Sequence, residues 1–366
     1  MMTAAQEFAV KCERVRSILD MHSLNAVVIQ KATNLAWLLA GAECWIGRTV
    51  ERGSCSAVIT RDDCHVLMNA IEAPRLSAEE LAGLGATVHE FAWHQDSTDD
   101  LITTLGGACI GSDAGAKGSQ PIEGALIAVQ TPLTPPEVER YRALGRDAGE
   151  ALGVALRQVE PGMTEHQIAS LIAREVLARG AQTAVLLVAV DDRAMRYRHP
   201  LPTDRVLAHY VMGVIVARRG GLHASATRCA YFGELPEELA LKHQRVCAID
   251  GLILGATRGG ATAGDVFAVA QEAYAEAGYP DEWQCHHQGG ATGYQSRTWR
   301  ATPGSREAIR AGQAFAWNPS LQGTKSEDTI MCHGREIEVL TATPGWPTVA
   351  VPSAGGALER AAILTA

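Results

Sequence analysis

The stretch Arg196-Tyr197-Arg198-His199-Pro200-Leu201-Pro202-Thr203-Asp204-Arg205 is dense in polar and ring-constrained residues, and it separates two apolar runs, Ala184 to Val190 and Val211 to Ala217. Each run is far shorter than the ~20 residues a bilayer requires, so both read as buried strands. The same arrangement recurs at Ala224-Ser225-Ala226-Thr227-Arg228, Cys285-His286-His287-Gln288-Gly289-Gly290, Trp317-Asn318-Pro319 and Lys325-Ser326-Glu327-Asp328-Thr329, each beside a predicted strand. Strand ends in a rigid scaffold are where side chains converge on a cleft.

Outward from this stretch, helices come in pairs between the runs of strands. Thr134-Pro135-Pro136-Glu137 predicts a helix start, with Thr as N-cap, Pro at the first position and Glu closing a capping box. Val138, Tyr141, Leu144, Ala148 and Leu152 supply its apolar face. A second start lies at Thr164-Glu165-His166-Gln167, with Gly180 as its stop, and strands are expected at Thr183 to Val190, Val211 to Ala217 and Thr227 to Phe232. Helices at Glu237 to Ala256 and Ala263 to Ala277 then precede a β-rich region from Gln313 to Thr341. This half is α+β. The first part of the chain is α/β: Phe8, Cys12, Val15 and Leu19 at helical spacing precede short apolar stretches at Ala26 to Ile29, Ser56 to Thr60 and His65 to Asn69. Gln130-Thr131-Pro132-Leu133 marks the expected boundary, giving domains 1–131 and 132–366.

With 366 residues the chain is long enough for two domains, and with 32 Lys and Arg against 41 Asp and Glu its net charge is −9. That charge disfavours nucleic acid and anionic membranes as partners. Nine scattered cysteines without a CxxC spacing read as reduced thiols in a cytoplasmic protein, and Met1 to Lys11 lacks the look of a secretory signal.

Several residues stand out for chemistry. His199, held between Arg198 and Pro200, suits a proton shuttle near neutral pH, or else a loop histidine bonded to a backbone carbonyl. His286-His287 ahead of Gly289-Gly290 suits a metal half-site, a close backbone approach to a ligand, or one buried and one surface histidine. On a strand the two rings point to opposite faces, so one at most is expected at the site. Glu327-Asp328 likewise places one carboxylate in and one out, or forms a solvated pair. No GxGxxG, Walker, HExxH or GxSxG signature is present.

The order and spacing of Arg198-His199-Pro200, Gly220-Gly221-Leu222 through Ser225-Ala226-Thr227-Arg228, His287 to Tyr294, Phe315 to Pro319 and Ser326-Glu327-Asp328-Thr329 resemble the creatinase / aminopeptidase P / methionine aminopeptidase family, peptidase family M24. The resemblance implies a pita-bread catalytic-like domain preceded by a smaller creatinase-type N-terminal domain. Peptidases of that family bind two divalent ions through two Asp, one His and two Glu. Here those positions match Val214, Ser225, His287, Asn318 and Glu327, so two of five ligands survive. A dinuclear hydrolytic centre is therefore not expected, and neither metal nor other cofactor is assigned.

Creatinase has this fold and works without metal, and the resemblance to it implies a metal-independent hydrolase or lyase cleaving a C–N bond of a small, polar, carboxylate-bearing substrate. His199 would be the acid/base, Glu327 would orient water or a cationic group, and His287 and Asn318 would position substrate. Ser225, Tyr294 and an arginine from Arg198, Arg228 or Arg297 would help bind it, with Trp45 and Arg48 of the partner copy in a homodimer covering the cleft. The chain is also similar to a metal-poor Xaa-Pro peptidase-like bacterial subgroup, from which it departs at Thr298, where Glu is expected. The alternatives are a non-catalytic pita-bread binding or scaffold protein and a one-metal Xaa-Pro peptidase-like enzyme.

Overall fold

The structure, a computed structural model, describes residues 2–366. The chain divides into two compact units, Met1–Glu139 and Arg140–Ala366, with the continuous helix Pro135–Leu156 running through the division.

In the first unit, helix Ala4–His22 opens on a capping box in which Thr3 and Gln6 exchange side-chain-to-backbone bonds, and it buries Phe8, Cys12, Val15 and Leu19. Six strands form one sheet: β1 (Ala26–Lys31), β2 (Arg52–Ile59), β3 (Cys64–Asn69), β4 (Thr87–Phe91), β5 (Ile110–Ser112) and β6 (Gln120–Pro121), in the order β4-β3-β2-β1-β5-β6. Val28, Val58 and Leu67 bury one face against Ile102 of helix Thr98–Gly106. Lys11 lies fully buried, its ammonium 2.6 Å from Glu7, 2.8 Å from Glu137 and 2.6 Å from the Trp37 carbonyl. Glu137 also accepts from the Thr134 backbone N–H at 2.6 Å, so the expected helix start is tied into this buried cluster.

In the second unit, helix Glu165–Ala178 begins where a start was expected, Thr164 forming a capping box with Gln167, and Gly180 follows its end with φ of 70°. Six strands run β10 (Gly289–Thr292), β11 (Gln313–Trp317), β14 (Asp328–Cys332), β9 (Leu222–Tyr231), β8 (Tyr210–Arg219) and β7 (Gln182–Val190) across one sheet, every adjacent pair antiparallel. Short strands β12 (Ser320–Leu321) and β13 (Thr324–Lys325) form a separate pair, and β15 (Ile337–Val339) and β18 (Leu364–Thr365) extend the main sheet beside β14 and β9. Gly220 and Gly221, both at positive φ, make the two-residue turn between β8 and β9. Helices Glu237–Ala256 and Ala263–Glu276 press Ile253, Val266 and Phe267 onto Phe315, Trp317 and Ile330.

A hairpin of β16 (Thr348–Ser353) and β17 (Gly356–Ala361) is anchored by one side chain. Arg360, 1% exposed, lies 2.6 Å from Asp250 of helix Glu237–Ala256 and 2.8 Å from Asp328 of β14. No helix of the described residues is long and apolar enough to cross a membrane.

Removing one member of a fully buried ion cluster leaves charge without compensation. Lys11→Ala should therefore destabilise the first unit by about 3–5 kcal/mol in urea unfolding, whereas an exposed pair such as Arg61–Asp20 should contribute under about 1 kcal/mol.

Candidate active site

Antiparallel pairing brings the sequence's polar segments together. Val214 on β8 faces Thr227 on β9, Val216 faces Ser225, and Ala226 pairs with Asp328 at the start of β14. Glu327, one residue earlier, accepts from the Thr227 hydroxyl at 2.6 Å, and its backbone carbonyl accepts from the Thr227 N–H. Asn318 follows β11, and its N–H donates to the Gln288 carbonyl at 3.0 Å, next to the two histidines.

Glu327 is 3% exposed and carries two cations. Lys325 Nζ sits 2.8 Å from Oε2, and Arg297 Nη2 donates to Oε1 at 3.2 Å. Burial alone would raise this carboxyl, but Lys325 and Arg297 outweigh it and hold it at about 2. Arg297 Nη1 also donates to Ser225 Oγ at 3.3 Å. Lys325 was absent from the expected set, although two residues from Glu327 on extended chain puts it within reach of the same carboxylate.

His199 is exposed, and its Nε2 lies 3.0 Å from Nε2 of the buried His286. His287 stacks on His286 with ring centroids 4.4 Å apart and lies 6.0 Å from the His199 ring. One nitrogen from each ring falls within 4.8 Å of the others. The expectation that only one of His286 and His287 reaches the site is corrected, because these residues precede β10 and follow the turn Glu282–Cys285, outside any paired strand. The alternation of a pleated sheet does not apply to them.

Gly289 and Gly290 serve the protein's own backbone rather than a ligand's approach. Both have positive φ, at 101° and 155°, and a Cβ would collide with the Ala316 carbonyl at the first and the Trp299 carbonyl at the second.

All three imidazoles are shifted toward the neutral form. Burial, then the charge of Lys325, depresses His286 to about 2; burial, then Arg297 and Arg300, depresses His287 to about 4. His199 is lowered by burial and Lys325, with Glu327 opposing. The Nε2 atoms of His199 and His286 then share one proton, one ring donating and the other accepting.

The other expected residues have partners of their own. Arg228 alternates with Thr227 on β9 and so takes the opposite side: its guanidinium is spent on Asp328 at 2.8 Å and on the Thr227 and Thr341 carbonyls. Its substrate-binding role is therefore corrected to a structural one. The solvated reading of Glu327-Asp328 is corrected too, since both are buried, each with its own cations. Arg198 is paired with Glu282, which also accepts from the Gln322 N–H. Tyr294 is 2% exposed, with its hydroxyl 3.5 Å from Arg140. Thr298 donates its N–H to the Ala291 carbonyl. Trp45 and Arg48 belong to the first unit, Trp45 half-buried and Arg48 exposed.

The five positions matched to metal ligands do not fit a dinuclear centre. Val214 packs in an apolar cluster with Met212 and Cys229, Ser225 Oγ is taken by Arg297, and Glu327 is already neutralised by Lys325 and Arg297. Two dications there would face two resident cations with one carboxylate among the five. Among the described residues, His199, His286 and His287 are the set of three able to converge on an ion.

The chain's likenesses agree with this fold. It superposes on the prolidase from Pyrococcus horikoshii OT3 with a TM-score of 0.77 at 18% identity, covering 91% of this chain and 98% of that one. Dipeptidase PepE from Mycobacterium ulcerans gives 0.76 at 19% identity, covering 100% and 99%. The N-terminal domain of the FACT complex subunit SPT16 from Cicer arietinum (chickpea) gives 0.72 at 12% identity, covering 92% and 96%. At such identities the likeness speaks for the fold alone. No curated protein sequence matches significantly. Residues 139–342 match the profile of metallopeptidase family M24, and the two-unit pita-bread architecture is that of its solved relatives; the chain belongs to family M24.

Proposed function

We propose that this chain hydrolyses a C–N bond in a small carboxylate-bearing substrate without a catalytic metal, with His199 carrying the proton. The observation that carries the reading is the charge balance around Glu327. Lys325, Arg297 and Arg300 act on the histidines here, one buried carboxylate offsets them, and the imidazoles are neutral, which leaves cationic charge for an anionic ligand.

The chemistry follows from each group's protonation. Glu327, held at about 2, is too weak a base to take a proton near neutrality, so its part is to fix Lys325 and Arg297. His199 is neutral, exposed and steered by His286, so it accepts a proton from attacking water and returns it to the departing nitrogen. Asn318 Oδ1 is buried without a partner and suits a substrate N–H. The proposal includes the homodimer, with Trp45 and Arg48 of one copy covering the cleft of the other.

A second reading, a non-catalytic binding protein, is favoured by Val214, whose packing in an apolar cluster removes a ligand position altogether. A panel of dipeptides, N-acyl amino acids and amidino or carbamoyl amino acids separates the two. Turnover by chelator-stripped protein supports hydrolysis; stabilisation by a panel member without product supports binding.

On a substrate so found, His199→Ala should lower kcat by about 10²–10⁴-fold. Undiminished turnover in that variant removes His199 from the mechanism.

The acid limb of kcat/KM should lie below the ordinary imidazole pKa of about 6.5, because His199 must lose its proton and its pKa is lowered. Lys325→Met removes a repelling charge and should move that limb to higher pH. Glu327→Gln removes an attracting one and should move it to lower pH. Shifts in the same direction would show that another group sets the limb.

A further inference from the structure

We propose that His199, His286 and His287 together form a site for a single divalent transition-metal ion, and that an ion held there takes His199 out of proton transfer. The site is separate in its ligands from the five positions at which the family's peptidases hold two ions, sharing only His287 with them.

The donor set carries the argument. Three imidazoles offer one nitrogen each within 4.8 Å of one another, and the closest pair, His199 Nε2 and His286 Nε2, are 3.0 Å apart. A tetrahedral zinc ion with Zn–N bonds of about 2.0–2.1 Å holds its ligand nitrogens about 3.3 Å apart, so the cluster brackets the required spacing. Nitrogen donors select zinc, cobalt, nickel or copper over calcium and magnesium.

Two further observations point the same way. The Nδ1 atoms of His286 and His287 are buried with no hydrogen-bond partner, so no bond within the protein fixes which nitrogen of either ring carries the proton, and each ring is free to turn a lone pair to an ion. The 3.0 Å contact between two imidazole nitrogens contributes only one shared proton, and a metal ion replaces it with two bonds from lone pairs. Three protein ligands leave a fourth position open, and Lys325 and Arg297, engaged by Glu327, favour an anion such as hydroxide, chloride or a carboxylate in it.

The effect on turnover rests on the functional reading above, while binding does not. With its lone pair on the metal, His199 no longer accepts a proton from water, so zinc should inhibit rather than activate.

The test uses the full chain, stripped with chelator and titrated with Co²⁺ and then Zn²⁺. The expected result is one Co²⁺ per chain, with the visible absorption of a four-coordinate nitrogen-ligated ion, displaced stoichiometrically by Zn²⁺. His286→Ala and His199→Ala should each weaken binding by about tenfold or more, while Glu327→Gln should retain the spectrum. His199 is exposed, so its variant reports on binding even if the buried His286 variant fails to fold. Absence of stoichiometric Co²⁺ binding overturns the proposal. So does binding abolished by Glu327→Gln but intact in both histidine variants, which would place the ion at the family's ligand positions. Zinc activating turnover, with the histidine dependence intact, would leave the site standing and overturn the metal-independent reading and the inhibitory role.

Discussion

A carboxylate enclosed by protein must have positive charge against it, and at Glu327 that charge comes from Lys325 and Arg297. Much of the candidate site follows from this arrangement. It makes Glu327 a fixed anion instead of a base, occupies the oxygens that a divalent ion would need, and draws Ser225 into contact with Arg297. Burial first, and then positive charge including that of Lys325, shifts the three nearby imidazoles toward the neutral form, and His199 is the exposed one of the three. The family profile is that of metallopeptidases, and in this chain the positive charge against Glu327 comes from side chains.

A second buried charge network fixes the geometry of the first. Asp328 is gripped by Arg228 on one oxygen and Arg360 on the other, and Arg360 also reaches Asp250. Burial raises the Asp250 carboxyl to about 6 in spite of Arg360, a sign of how little water reaches this layer. Because Glu327 and Asp328 are adjacent on extended chain, holding one on the far side of the sheet sets the aim of the other. The two acidic residues thus divide the work, Asp328 paired with Arg228 and Arg360 and Glu327 paired with Lys325 and Arg297.

Most of the elements were legible because their signals are local. Helix Glu237–Ala256 has the expected bounds, the capping box at Thr164 forms with Gln167, and the runs around Val188 and Val214 are strands. The site was legible in part. His199, His287, Asn318, Ser225, Arg297 and Glu327 stood out by residue type and order, and the structure brings them to one region around the ends of β9, β11 and β14. Lys325 was not singled out, and His286 was weighed only as the alternative to His287. Lys325 acts through its pairing with Glu327 and through its charge on the imidazoles, and both histidines reach His199 from the segment ahead of β10, outside any paired strand.

The amino-acid sequence by itself determined the α+β class and the helix starts, because periodicity and caps are properties of short segments, and its resemblance to the family implied the missing carboxylates. The tertiary structure alone decided which charges meet. Arg228 and Arg297 are the same kind of residue beside the same sheet, yet one locks Asp328 and the other neutralises Glu327. For Arg228 that choice depends on strand register, which turns its side chain to the face of Asp328, and Arg297 reaches Glu327 from the segment after β10.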